Sequence, residues 1–238
     1  MGRFRGGFLK VYGVIAAAGA SSRMGGVDKM FAPLSGKAVL LYSLLAFQRA
    51  GSVDEIIVAA RPESAGAVEA LCRENGVSKL KAVVAGGETR AQSVLNAVAA
   101  IEEEDGIIAV HDGARPLVTP RLADAAVEGA REHKAVILAV AARDTVKAVA
   151  GGFVTDTPNR ENMFLAQTPQ AFDLRLYRRA ALDARFSANA TDDGAIMERA
   201  GVKVKTLEGD YGNIKITSPE DFTAARALLA ERSRYASD

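Results

Sequence analysis

Apolar runs alternate with helix-period segments along most of the chain. The runs Val11 to Ala18, Glu55 to Ala60, Lys81 to Ala85, Gly106 to Val110 and Ala135 to Val140 read as strands. Between them apolar positions recur at helical spacing over roughly Ala38 to Ala50, Glu63 to Asn75, Arg90 to Glu103 and Pro120 to His133. Strands that are apolar throughout are buried on both faces, as in a parallel sheet covered by helices. The pattern predicts an α/β fold.

The alternation fails after Val140. Short Thr/Val-rich pieces around Gly151 and Gly152 predict a β-hairpin that projects from the sheet and carries Arg143, Lys147 and Arg160. The pattern then returns to α/β form, with a helix from Leu174 to Phe186. Thr191, Asp192 and Asp193 form the cap and first turn of a helix over Gly194 to Ala200, where acids suit the positive helix end. A strand follows at Val202 to Leu207 and another, short, at Gly212 to Thr217. Ser218-Pro219-Glu220-Asp221 opens the last helix with a cap, a proline and first-turn acids. No repeat or linker divides residues 11–238, so they read as one domain with its arm at about 141–165, preceded by a loose basic extension, residues 1–10.

In sheets of this kind ligands gather beyond the carboxyl ends of the strands. The loop after the first strand, in AAAGASSRMGGVDK, packs small residues beside Arg23 and Lys29. Such a turn lets backbone N–H groups approach phosphate oxygens, which the two cations then neutralise. It contains neither GxxxxGK[ST] nor GxGxxG, so it is neither of the two common phosphate loops. The third strand leads into GGETRAQS and the fourth into HDGARP. Loops carrying glycine beside charged residues thus converge on one sheet edge.

Composition narrows the possibilities without naming a ligand. The chain has 238 residues, 49% of them hydrophobic, and a net charge of +1, which gives no general reason to bind nucleic acid or membrane. The apolar run after the basic N-terminus is too short and glycine-broken to span a bilayer and lacks a signal-peptide layout. The one cysteine, Cys72, excludes an internal disulfide, fits a reducing cytoplasm and lies in a helical apolar pattern that makes it a packing residue. With two histidines, His111 and His133, a zinc site is poorly supported.

Asp112 ends an apolar strand at the convergent edge. A carboxylate facing phosphates is repelled unless a cation intervenes, and magnesium resolves the conflict by binding carboxylate, phosphate oxygen and water together. A structural Asp capping the next turn is the competing account, and His111 reads as an anchor rather than a catalyst. The cations Arg23, Lys29, Arg90, Arg115, Arg160 and Lys215 come from distant loops and strand ends. With Asp112 they make the set expected for phosphoryl or nucleotidyl transfer, where the protein positions substrates and stabilises charge.

AAAGASSRMGG with Lys29, GGETRAQSV, VHDGARP, Asn159-Arg160, LAQTPQAF, Thr191-Asp192-Asp193 and GNIKITSPED together resemble the 2-C-methyl-D-erythritol 4-phosphate cytidylyltransferases of non-mevalonate isoprenoid biosynthesis. The resemblance runs in order from Val11 to the last helix. Asp28 departs from it, because many members carry proline before the lysine.

The resemblance implies a Rossmann-like, mostly parallel twisted sheet flanked by helices, and transfer of CMP from CTP to the polyol phosphate with release of pyrophosphate. It implies that Arg23, Lys29 and Lys215 act on the triphosphate and the reacting phosphorus. Ala17, Ala18 and Gly19 would wall the nucleotide, Gly87, Glu88 and Ser93 would read cytosine, and Asp112 and Gly113 would also belong to the CTP site. Asp112 would be the residue near Mg2+ or another divalent cation. Arg115 and Thr191 would hold the acceptor within one subunit, while Thr145 and Arg160 would reach it from the other subunit of a homodimer with shared sites. A ribitol-5-phosphate cytidylyltransferase shares the loops and differs in acceptor. A glycosyltransferase would want a DxD motif, which HDGARP does not provide, and a non-catalytic nucleotide-binding module would not need Lys29, Asp112 and Lys215 together.

Overall fold

A computed structural model describes residues 9–19, 28–188 and 190–235, apart from the side chains of residues 184 and 235. The predicted strands form β1 (Val11–Ala16), β4 (Glu55–Ala60), β5 (Leu80–Ala85), β6 (Ile107–Asp112) and β7 (Ala135–Ala141). A two-residue ribbon, β2 (Pro33–Leu34) and β3 (Lys37–Ala38), precedes helix α1 (Val39–Arg49). The hairpin is β8 (Ala148–Ala150) and β9 (Phe153–Asp156), paired antiparallel. Strands β10 (Phe164–Asp173) and β11 (Lys205–Glu208) complete the set.

The main sheet has the order β11-β7-β10-β6-β1-β4-β5, with β10 antiparallel to β6 and β7 and the other pairings parallel. In β1 the alternation of side chains sends Val11 and Ile15 to one face and Tyr12 and Val14 to the other, and both faces are sealed. Helices α1, α2 (Ala65–Glu74) and α4 (Pro120–His133) supply apolar residues to the first layer. Helices α3 (Arg90–Ala99), α5 (Leu174–Leu182) and α7 (Asp193–Arg199) supply the second. The one-turn α6 (Ala184–Ser187) leads toward α7, and α8 (Pro219–Tyr235) closes a third cluster with Phe222 and Ala225 against Leu34 and Leu117. No helix among the described residues is long and apolar enough to cross a membrane.

Expectations change at several points: the helix predicted from Leu174 to Phe186 ends at Leu182, with α6 separate after it, and the strand predicted over Val202 to Leu207 runs over Lys205–Glu208. The fourth strand runs on through His111 and Asp112, because its ladder with β1 continues to the pair Ala16 and Asp112. The segment LAQTPQAF lies in a ten-residue strand between β6 and β7. Its two glutamines and Pro169 interrupt the apolar run, and the register shift between Gln167 and Gln170 accommodates the proline, which lacks a ladder donor. Gly212 lies in a turn and Asn213 to Thr217 join no strand ladder, although Ile216 N–H donates to Ala114 O at 2.8 Å.

Candidate active site

The sheet reverses its direction of growth at β1, with β4 on one side and β6 on the other. A crevice opens beyond the strand ends at such a switch point. It holds a cavity of about 310 Å³ lined by Ala18, Gly19, Lys29, Gly87, Glu88, Arg90, Ser93, Asp112 and Lys215, with Ala16, Met30, Thr89 and Ala114. The three loops predicted to converge therefore do so. The wall is tightly built: Gly86 N–H donates to Ala60 O at 2.7 Å, and a Cβ on Gly86 would stand 2.2 Å from the Ala18 Cβ. Only glycine allows that approach. Ser93 Oγ accepts from Gly87 N–H at 3.0 Å and lies 2.9 Å from Thr89 O, so its hydroxyl fastens the loop at the start of α3.

Asp112 is the electrostatic hub. Its Oδ1 accepts from Arg90 Nε at 2.7 Å and its Oδ2 pairs with Lys215 Nζ at 2.7 Å. Burial pushes the carboxyl upward, but Arg90 and Lys215 outweigh burial and hold it below the usual carboxylate range. It remains an anion at any physiological pH.

Arg90 does not end there. Its Nη1 donates to Asp193 Oδ2 at 2.6 Å, and Tyr177 OH donates to Asp193 Oδ1, also at 2.6 Å. Asp193 is fully buried, and Gln170 Oε1 receives the N–H groups of Asp193 and Gly194 at the start of α7. Burial and the Asp193 carboxylate push the Tyr177 phenol well above its ordinary value, so it stays a donor. Asp193 is more than a first-turn acid: a carboxylate–guanidinium–carboxylate chain ties α7 and α5 to the end of β6. The Arg90 Nη2 has no protein partner.

His111 lies behind this array, fully buried. Thr168 Oγ1 accepts from Asp112 N–H at 3.1 Å, so its own proton points to His111 Nδ1 at 2.9 Å, and His111 Nε2 carries the proton toward Arg115 O at 3.3 Å. Burial lowers the imidazole to about pKa 3. The ring is neutral, tilted against Phe47 with centroids 5.3 Å apart, and serves as the anchor expected of it.

Lys29, Lys215, Ala18, Gly19, Gly87, Glu88, Ser93 and Asp112 thus share one cavity. Ala17 and Gly113 lie beneath it, with their N–H groups bonded to Ala59 O and Ala16 O. Arg115 is not among the residues that line the cavity and donates to Asn213 O at 2.8 Å and Ala166 O at 3.3 Å. Thr191 is exposed just before α7, and Thr145 and Arg160 are exposed on the arm, where Arg160 Nη1 donates to Arg143 O at 2.8 Å. Arg23 lies outside the described residues. Sequence reasoning missed Arg61, Thr168, Gln170 and Tyr177; Arg61 directly follows β4, so the strand-end argument already pointed to it.

The described residues contain no group of three or more His, Cys, Asp or Glu able to cage a metal. Asp112 nonetheless fits a magnesium ion held mainly by ligand oxygens and water, because each carboxylate oxygen has a lone pair beyond the one used by Arg90 or Lys215. Chemically the cavity offers ammonium and guanidinium groups and no imidazole able to take a proton near neutrality. It suits an anionic nucleophile and a reacting centre where negative charge accumulates.

The profile of the family described as 2-C-methyl-D-erythritol 4-phosphate cytidylyltransferase matches residues 11–231. The curated protein of that name from Geobacter metallireducens is 42% identical over 94% of this chain and 99% of its own length. The one from Caldanaerobacter subterraneus is 41% identical over 93% and 99%. Among solved structures, 4-diphosphocytidyl-2C-methyl-D-erythritol synthase from Anaerococcus prevotii superimposes with a TM-score of 0.83 at 30% identity, covering 93% of this chain and 96% of that one.

Proposed function

We propose a mechanism from one premise: the chain belongs to the 2-C-methyl-D-erythritol 4-phosphate cytidylyltransferase family. Its reaction transfers CMP from CTP to 2-C-methyl-D-erythritol 4-phosphate. A phosphate oxygen of the acceptor attacks the α-phosphorus, the bond to the β-phosphate oxygen breaks, and pyrophosphate leaves. The attacking oxygen is already anionic, so no general base is needed; in-line placement and charge neutralisation are.

The observation that carries the mechanism is the grouping of Lys29, Lys215 and Arg90 around Asp112 in one cavity while His111 is locked neutral behind it. Lys215 spends one of three N–H donors on Asp112 and keeps others for the α-phosphate. Lys29, whose Nζ donates at 3.2 Å to the carbonyl of Ile216, the residue after Lys215, supports the charge on the reacting phosphorus. Arg23 is assigned to the triphosphate on resemblance alone. Gly87, Glu88 and Ser93 present the cytosine-reading loop, Ala17, Ala18 and Gly19 form the nucleotide wall, and Gly113 sets the turn after Asp112. Asp112, with phosphate oxygens and water, would hold a magnesium ion, which supplies further neutralisation of the triphosphate.

Arg115 and Thr191 are assigned to the acceptor in the same subunit, and Thr145 and Arg160 to the acceptor of a partner subunit. The exposed apolar residues of the arm, Phe153, Val149, Val154, Phe164 and Leu165, support a homodimer in which the arm is covered. A cytoplasmic setting agrees with the one cysteine being a buried thiol.

The test is pyrophosphate release with CTP and magnesium, offering methylerythritol phosphate, ribitol 5-phosphate or no acceptor. Release with methylerythritol phosphate is expected; release with ribitol 5-phosphate alone refutes the acceptor assignment. Lys29→Ala should lower kcat far more than it weakens CTP binding, by about 3 kcal/mol of transition-state stabilisation. Near-normal turnover would remove Lys29 from the mechanism.

A further inference from the structure

Arg61 leaves the end of β4 on the same sheet edge as the cavity. Its backbone is well determined: Ala60 pairs with Ala85 in the sheet, Pro62 follows, and Arg61 holds φ −63 and ψ 142 while its carbonyl accepts from Ser64 N–H at 2.9 Å. A residue before proline is confined to extended backbone, so the guanidinium is delivered from a stiff base. It forms an ion pair with Asp28 Oδ2.

Asp28 caps the turn that carries Lys29. Its Oδ1 accepts from Met30 N–H at 3.0 Å and its carbonyl accepts from Phe31 and Ala32 N–H at 3.1 Å each. The far end of the turn is stitched to the start of α1 through Leu40 N–H to Met30 O at 3.0 Å and Val39 N–H to Ala32 O at 3.2 Å. The near end is secured to the sheet by Arg61. A cap whose carboxylate is already oriented by a cation presents one fixed direction to the turn, and the next side chain inherits that direction.

We propose that Arg61 is a positioning residue for the transfer reaction, acting through Asp28 to hold the Lys29 ammonium at the cavity. It also cancels a carboxylate that would otherwise face incoming phosphates. The proposal rests on the assignment of Lys29 to the reacting phosphorus. The bridge is partly solvent-exposed, with side-chain exposures of 29% for Arg61 and 23% for Asp28, so its loss should hardly alter folding stability. Misplacement of a catalytic group, in contrast, is expensive in rate.

The experiment compares kcat and KM for Arg61→Ala and Arg61→Lys in the wild-type and Lys29→Ala backgrounds, with thermal melting as the control. Arg61→Ala should lower kcat by about tenfold at an unchanged melting temperature and unchanged acceptor KM, and Arg61→Lys should recover most of the loss. In the Lys29→Ala background the same change should cost less than about twofold, since the group it positions is gone. Equal losses in both backgrounds, or an unchanged kcat for Arg61→Ala, would overturn the proposal. Failure of the Lys29 assignment shows separately, as normal turnover of Lys29→Ala alone, and takes the positioning role with it.

Discussion

Replacing Arg90 with methionine removes the cation between Asp112 and Asp193 and nearly preserves its volume. Both carboxylates are then left short of charge compensation, Asp112 with Lys215 and Asp193 with the Tyr177 hydroxyl. Breaking a buried ion pair from one side costs about 3–5 kcal/mol, and the surviving partners argue for the lower end, about 3 kcal/mol. Against the roughly 5–15 kcal/mol by which domains are stable, that is a large fraction. With a urea slope of about 2 kcal/mol per molar, the midpoint should fall by about 1.5 M at pH 7. The pH dependence gives the sign. The Asp112 carboxyl is depressed in the folded state, so its contribution is present above the unfolded-chain value of about 3.9 and disappears as pH falls through the folded value. The gap between wild type and Arg90→Met should therefore be full at neutral pH and narrow below about pH 4. Asp193→Asn in the Arg90→Met background should cost less than it does alone, because the two side chains act as one unit. A urea midpoint within about 0.3 M of wild type, on the same slope, would refute the chain of charges as a structural element.

Arg160→Ala should raise the KM for the acceptor about tenfold or more and leave CTP alone, as expected for loss of a charge-assisted contact; an effect confined to CTP would contradict the arm assignment. Gly86→Ala forces a Cβ to 2.2 Å from Ala18, so the nucleotide wall must shift; a stability loss of about 1–3 kcal/mol and a raised CTP KM should be seen by urea titration and steady-state kinetics. Phe153→Asp places a charge at a side chain that is 79% exposed at the hairpin tip. Sedimentation should show the proposed homodimer weakened by at least about thirtyfold with the monomer's circular dichroism unchanged, and an unaltered association constant would remove the tip from the proposed interface.

The fold was legible where one rule acted alone. Helix α1 follows its apolar period, α4 follows both its apolar period and its Thr119-Pro120 start signal, and the buried strands β4 and β7 follow unbroken apolar runs. Strand β10 was not legible, because Gln167, Thr168, Pro169 and Gln170 look like a loop in isolation. In place, Gln170 takes two N–H groups of α7, Gln167 bonds both ways with Asp210, and Thr168 links His111 to Asp112. These polar residues are internal because their partners are, and no local pattern records a partner. The same reason hid the pairing of Arg90 with Asp193, which are 103 residues apart, although Arg90 was recognisable as a strand-end cation and Asp193 as a helix-end acid.

What the pairing adds to the chemistry follows from charge order. Asp193 is the most deeply buried, and Arg90, Asp112 and Lys215 follow it in a line of contacts, each touching the one before. Signs alternate along the line, so every charge has an opposite neighbour, and its far end, at the cavity, is a cation. Removing Asp193 would leave Arg90 freer to draw Asp112 inward, away from Lys215, whereas removing Arg90 would let Asp112 take more of the Lys215 ammonium. The inner carboxylate thus bears on how firmly Asp112 holds the Lys215 ammonium in place for an α-phosphate. An Asp193→Asn enzyme should keep its CTP affinity and lose kcat, and a loss confined to CTP affinity would contradict this ordering.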